Sequence, residues 1–228
     1  MICWGGNNEE NSRNLRGGLG SGPLYQRKRR VIDRGNGVIY DADQDLTWLQ
    51  DANYAETSGY DADGLMSWDA AKTWAENLEF GGYDDWRLPT ITDTGTTGCN
   101  FGVNGTDCGY NVDTSGSELA YMFYDILGNS AIFDTSGNAQ AGGLTSTGAN
   151  GVEIENFQSG QYWSGTEYNF SNAWYFSTNG EQRDGNKSML LKAWAVRDGD
   201  VASVPEPATL LLLAAGLGGV AGARGRRS

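Results

Sequence analysis

Seven of the chain's eight tryptophans fall between residues 31 and 200, in a stretch otherwise crowded with Gly, Asn and Asp. That pairing narrows the fold more than any other feature. Glycine and Asx residues make turns, so the elements between them must be short. Tryptophan is highly buried on average, so those elements must close around an aromatic core. Disordered acidic segments lack such aromatics. The stretch therefore predicts one ordered, loop-rich domain, and 228 residues leave room for that domain plus tails. Trp48, Trp68, Trp86, Trp163, Trp174 and Trp194 are its expected core.

The pattern between the turns is mixed. GNGVIYDADQDLTWLQDANY (35–54) reads as a hairpin, with Val38-Ile39-Tyr40 and Leu46-Thr47-Trp48-Leu49 on either side of an Asp-rich turn. LMSWDAAKTWAENLEFGGY (65–83) predicts an amphipathic helix. Ser67 suits its cap, Asp69 its first turn and Gly81-Gly82 its stop. Trp68, Ala71, Ala75 and Leu78 share one face, and Trp74 stacks over Leu78. SGSELAYMFYDILGN (115–129) predicts a second helix, with Ser115 and Glu118 as a capping box and Gly128 at the end. Strand-like runs follow at 161–168, 172–182 and 188–199, the last two joined by a turn at RDGNK. Two helices and several short antiparallel strands make the fold class α+β.

Charge is unevenly spread. Residues 31–200 carry 7 basic and 26 acidic side chains, net −19, whereas residues 1–30 carry +4 and residues 201–228 carry +2. A body this acidic repels phosphate backbones, so nucleic acid is not expected as a partner. No histidine occurs. That removes the usual general base, the Ser-His-Asp and Cys-His arrangements and the common zinc sites. No phosphate-binding loop or nucleophile elbow is present. The expectation is that the domain is not an enzyme. A secreted enzyme working through a carboxylate pair is the alternative.

Two smaller constellations bear on ligands and redox state. Asp41, Asp43 and Asp45 place three carboxylates at alternate positions, and hard oxygen ligands suit Ca²⁺. The stretch lacks the spacing of an EF-hand, and such residues also serve simply as turn formers. Cys99 and Cys108 flank a short polar loop, and a disulfide closing it is expected in an oxidising compartment. Two free thiols in a cytosolic loop are the alternative.

The C-terminal end points out of the cytosol, whereas the N-terminal end offers nothing that would start export. Ala208 to Ala223 is sixteen residues without a charge. As a helix it is ~24 Å long, slightly under the ~30 Å hydrocarbon core, and spans with some local thinning. Arg224, Arg226 and Arg227 follow and hold that flank on the cytoplasmic side. Val204-Pro205-Glu206-Pro207, the apolar run and the arginines together resemble a PEP-CTERM sorting signal. The resemblance implies an exported bacterial protein, held transiently in the inner membrane over 208–223 and processed by an exosortase. It then passes to the cell surface or to a polysaccharide-rich biofilm matrix. Residues 1–30 offer no apolar h-region, so they read as a basic leader outside the fold and as a sign of a truncated or mis-started gene model. A functional basic arm is the rival reading.

The body, residues 31–200, carries Trp86-Arg87-Leu88-Pro89, Tyr162-Trp163-Ser164, Ala173-Trp174 and Val196-Arg197 in that order. It resembles the domain family named for the C-terminal region of the Lcl collagen-like adhesin. The resemblance implies a C-type-lectin-like fold and a non-catalytic adhesion or polysaccharide-binding role. The alternative is a structural matrix component without a discrete ligand. Binding to sulfated polysaccharide needs basic surface, and a body at −19 suits a neutral or cation-bridged polysaccharide or cell-surface glycan better. With the tryptophans in the core, Tyr162, Tyr168 and Tyr175, together with Glu167, are the expected ligand-facing residues.

Overall fold

The computed structural model describes residues 31–95, 102–103, 105–148 and 151–201. The predicted hairpin is present. Strands β2 (Val38–Asp41) and β3 (Leu46–Leu49) pair antiparallel, with Ile39 opposite Trp48. Strand β1 (Val31–Gly35) pairs with β2 on the outer side, and β10 (Val196–Asp198) pairs with β3. These four form one sheet in the order β1-β2-β3-β10, which places the first and last strands of the domain at opposite edges of the same sheet.

The second sheet has six strands in the order β4-β9-β6-β7-β8-β5. These are β4 (Leu65–Met66), β5 (Gly109–Tyr110), β6 (Gln161–Glu167), β7 (Asn172–Ser177), β8 (Glu181–Asn186) and β9 (Leu191–Lys192). The pairs are antiparallel except β6 and β9, which meet in parallel at Tyr162 and Lys192. RDGNK is therefore not the expected turn, because its first four residues are part of β8. Gly185 shows why the run escaped recognition. A Cβ there would lie 2.9 Å from both Met189 Sδ and Tyr175 Cε1, so the strand needs a glycine where a side chain is ordinarily read.

Helix α1 (Tyr54–Thr57) is a single turn, and α2 (Trp68–Glu76) is the amphipathic helix. Ser67 is the extended residue before α2, as expected, but its side chain makes no capping hydrogen bond. The helix stops at Asn77, a turn short of Gly81-Gly82, so Leu78 lies beyond it. The chain leaves early to pair Phe80 with Tyr83 and to set the Phe80 ring against Tyr54 and Trp86. The second helix also starts later than expected. Ser115 lies in a short 3₁₀ turn (Thr114–Gly116), and Ser117 caps α3 (Glu118–Ala120) by accepting the Ala120 N–H at 3.1 Å. Glu118 does not close a capping box with Ser115. Past Ala120 the helix widens into a π turn (Tyr121–Ile126), where the Leu127 N–H reaches the Met122 carbonyl at 2.9 Å.

All six expected core tryptophans are buried. Five use the indole N–H as a cross-link between segments, Trp174 among them with Asp93 at 3.4 Å. Trp68 donates to the Ser164 carbonyl at 2.7 Å, and Trp163 donates back to the Met66 carbonyl at 2.9 Å. This reciprocal pair ties α2 and β4 to β6. Trp194 donates to Leu49 at 2.7 Å, Trp86 donates to Phe80 at 3.3 Å, and the Trp194 and Trp48 rings lie 4.7 Å apart. Among the described residues, no helix is long and apolar enough to cross a membrane, and the expected span 208–223 lies outside them, as does leader 1–30.

Candidate functional site

Thr90-Ile91-Thr92-Asp93-Thr94 alternates hydroxyl and non-hydroxyl residues. In an extended segment this puts the threonines on one side and Ile91 on the other. Ile91 is indeed buried, with Cys108 and Trp174, while the three threonines are exposed. The segment runs beside the cap of α3. Ile91 bridges Ser117, the Thr92 N–H donates to the Gly116 carbonyl at 2.7 Å, and the Glu118 N–H donates to the Thr90 carbonyl at 3.2 Å.

A cleft of about 430 Å³ opens along this line, walled by Thr92, Thr94, Thr106, Asp107, Asp113 and Ser115, with Gln182 of β8 at its base. A second depression of about 300 Å³ adjoins it and shares Thr92, Ser115 and Gly116. Its other walls come from Gln44, Thr90, Ser117 and Glu118. Both volumes lie toward the lower end of the ~300–1,000 Å³ usual for ligand sites.

The base is fixed by a chain of hydrogen bonds. Ser117 Oγ donates to Gln182 Oε1 at 2.6 Å, and Gln182 Nε2 donates to the Asp107 carbonyl at 2.7 Å. Asp107 Oδ2 in turn accepts from Thr94 N–H at 2.7 Å and Thr94 Oγ1 at 2.6 Å. Gln182, Ser117 and Asp107 are all buried, so these polar groups have geometry that water cannot rearrange. The Ser115 N–H donates to Asp113 and holds its carboxyl below the usual carboxylate range.

The two arginines of the quoted motifs are structural. Arg87 makes a two-pronged contact with Glu118 (2.8 and 2.9 Å) and reaches Asp198, while Glu118 also accepts the Thr90 N–H at 2.7 Å. Burial weighs against the Arg87 charge, but the Glu118 and Asp198 carboxylates outweigh it and raise its pKa further. Arg197 binds Asp85 with two nitrogens at 2.6 and 2.8 Å and lies 4.0 Å from the Tyr83 ring centre. Arg87 thereby positions the Glu118 wall of the second depression.

The expected ligand-facing residues are elsewhere. Tyr162 and Tyr175 are 1% and 5% exposed and belong to the core, so they do not present a sugar-facing surface. Burial raises both phenol pKa values, and the Tyr162 hydroxyl is tied to the Gln158 backbone. The cause is that β6 around Tyr162 and β7 around Tyr175 are covered on both faces, so alternation does not separate inside from outside. Tyr168 is half-buried, edge-on to Trp174 at 5.3 Å, and Glu167 pairs with Lys187 at 2.6 Å. None of the four lines the cleft.

Asp41, Asp43 and Asp45, the residues expected to meet calcium, lie at the turn between β2 and β3. Asp41 is fully buried and turns its Oδ1 back onto the Asp43 and Gln44 N–H groups, and Asp45 accepts the Tyr40 hydroxyl at 2.7 Å. These are turn-forming contacts, and among the described residues no group of three or more His, Cys, Asp or Glu could hold a metal ion. Cys108 is buried, and Cys99 lies outside the described residues, as do Val204, Pro205, Glu206, Pro207, Arg224, Arg226 and Arg227.

No curated protein matches the chain. The model of the PEP-CTERM protein-sorting motif matches residues 203–227, which marks the chain for export through an exosortase system. The model of the Lcl C-terminal domain matches residues 37–197, from β2 to β10, and takes in both sheets, the tryptophan core and the cleft. By that match the chain belongs to the Lcl C-terminal domain family.

Proposed function

We propose that this is a non-catalytic binding protein of the cell surface or extracellular matrix, and that its cleft contacts extracellular polysaccharide. One observation carries the reading: hydroxyl, amide and carboxylate groups line the cleft over a base fixed by the Ser117–Gln182–Asp107–Thr94 bonds. Sugar hydroxyls are both donors and acceptors, and a rigid array of polar side chains binds them without first having to be ordered. A non-catalytic role fits the wall carboxylates, which already serve other groups: Glu118 holds Arg87 and Thr90, and Asp107 holds Thr94.

Several further features belong to this reading. The reading takes the fold of the domain to be C-type-lectin-like. Residues 208–223 sit in the inner membrane until exosortase acts near Pro205-Glu206-Pro207, after which the domain joins the surface or biofilm matrix. Cys99 and Cys108 form a disulfide once exported, which a linked peptide in a non-reducing digest would reveal.

The test is a glycan array probed with the purified full chain and with Thr94→Val. Retention of a polysaccharide by the native chain, lost in the variant at unchanged melting temperature, is the expected result. If no glycan is retained, the binding reading falls, and a structural matrix component without a discrete ligand takes its place.

A further inference from the structure

We infer that the two depressions are one groove that holds at least two consecutive units of a neutral, hydroxyl-rich polysaccharide. The inference rests on the proposed polysaccharide-binding role and specifies its ligand. The depressions share Thr92, Ser115 and Gly116, and the Ser117–Gln182 bond at 2.6 Å joins the base of one to the wall of the other. A chain seated in one therefore runs over Thr92 into the other.

The polar groups left unused set the ligand's chemistry. At the far end, Gln44 Oε1 is shielded from solvent and has no hydrogen-bond partner. Such an atom loses its hydration without replacement until a donor reaches it. Thr92, at the shared waist, is exposed and uses its backbone N–H on Gly116. A sugar hydroxyl can donate to the amide oxygen and exchange a bond with the threonine.

Charge excludes an anionic chain. Asp107, Asp113 and Glu118 stand in the walls, and among the described residues neither depression is lined by Lys or Arg. The nearest guanidinium, Arg87, is turned onto Glu118 and Asp198. A sulfate or uronate would meet carboxylates without a compensating cation. Among the described residues the linings also lack an aromatic face. Affinity must then come from hydrogen bonds, each of modest net value, so it accumulates with the number of units bound.

Calorimetry of the full chain with a neutral oligosaccharide series, from one unit to four, tests this. The neutral chain is the one retained on the array, or its desulfated or uronate-reduced form if the retained one is acidic. Affinity is expected to rise about tenfold from one unit to two or more, the size of one well-made additional contact. Gln44→Leu is expected to weaken the longer ligands about tenfold at unchanged melting temperature. Gly116→Ala, whose added methyl sits 3.6 Å from Thr92 Cβ in ordinary contact, narrows the waist and is expected to act in the same direction. Phe170→Ser, outside the groove, serves as the control. Equal affinity for one unit and for four overturns the two-unit groove and leaves polysaccharide binding standing. Tighter binding of the acidic form than of the neutral one overturns the assignment of a neutral ligand. Absence of binding by any form overturns the inference together with the reading beneath it.

Discussion

Ser117 Oγ donates a 2.6 Å hydrogen bond to Gln182 Oε1 across 65 residues of chain, joining the cap of α3 to the middle of β8. The serine hydroxyl also accepts the Ala120 N–H, and the glutamine amide also donates to Asp107. Helix start, sheet and cleft base are thus one hydrogen-bonded unit.

Gln182→Leu keeps the size of this side chain and removes both its bonds. The Ser117 hydroxyl and the Asp107 carbonyl lose their partner where water does not replace it. A loss of about 1–3 kcal/mol in unfolding free energy is expected from urea denaturation.

Trp174→Ala should cost more. The ring is 2% exposed and packs with Ile91, Cys108 and Tyr168, so its removal leaves a cavity worth about 3–5 kcal/mol. Phe170, at 93% exposure, is the contrast, and Phe170→Ser should stay within about 0.5 kcal/mol of the native chain. Parallel denaturation curves check both. A stable Trp174→Ala would show that this tryptophan is not core.

Gly180 sits in the turn between β7 and β8 at φ +86°, and a Cβ there would lie 2.6 Å from Ala131 Cα and 2.7 Å from the Tyr124 hydroxyl. Backbone strain and steric overlap act together, so Gly180→Ala is expected to cost at least about 2 kcal/mol. The Tyr124 hydroxyl donates to the Gly180 carbonyl at 2.6 Å, so the loss should be visible in near-ultraviolet circular dichroism as well as in the melting curve.

Asp85 gives a pH dependence of defined sign. The Arg197 guanidinium beside it holds its carboxyl below the ordinary value of 3.8, and Arg197 is shifted upward to match. The stabilisation is fully present above the unfolded-state value and is lost as pH falls through the lower folded-state value. Asp85→Asn should therefore flatten the fall in melting temperature between about pH 5 and pH 2, with a constant deficit relative to the native chain at higher pH that closes as pH falls. An unchanged slope would show that the pair contributes nothing in solution.

The sequence showed local order well and assembly poorly. The β2–β3 hairpin was legible because two short runs of β-branched, aromatic and aliphatic residues flank an Asp-rich turn. The start of α2 was legible from Ser67 and Asp69, and its end was not, because Phe80 packing rather than a glycine pair stops it. Strand β8 carries almost no apolar residues and is held by β7. The cleft draws its walls from residues near 44, 90–94, 105–107, 113–118 and 182, and no local pattern joins those five stretches. The alternating threonines of 90–94 were the one available signal. The tyrosines misled because β6 and β7 are buried on both faces.

The placement of β10 has a mechanical consequence. The sorting motif at 203–227 lies just past this strand, so tension on the domain from that side arrives first at Val196–Asp198. The strand is gripped along both margins: β3 pairs with it on one, and on the other Val196 exchanges two backbone bonds with Arg87 at 2.8 and 2.9 Å. Arg197 and Asp198 add ionic grips to Asp85 and Arg87. Opening the domain from its C-terminal side requires both rows to give way together, so a pull on that side is resisted at the point where it enters.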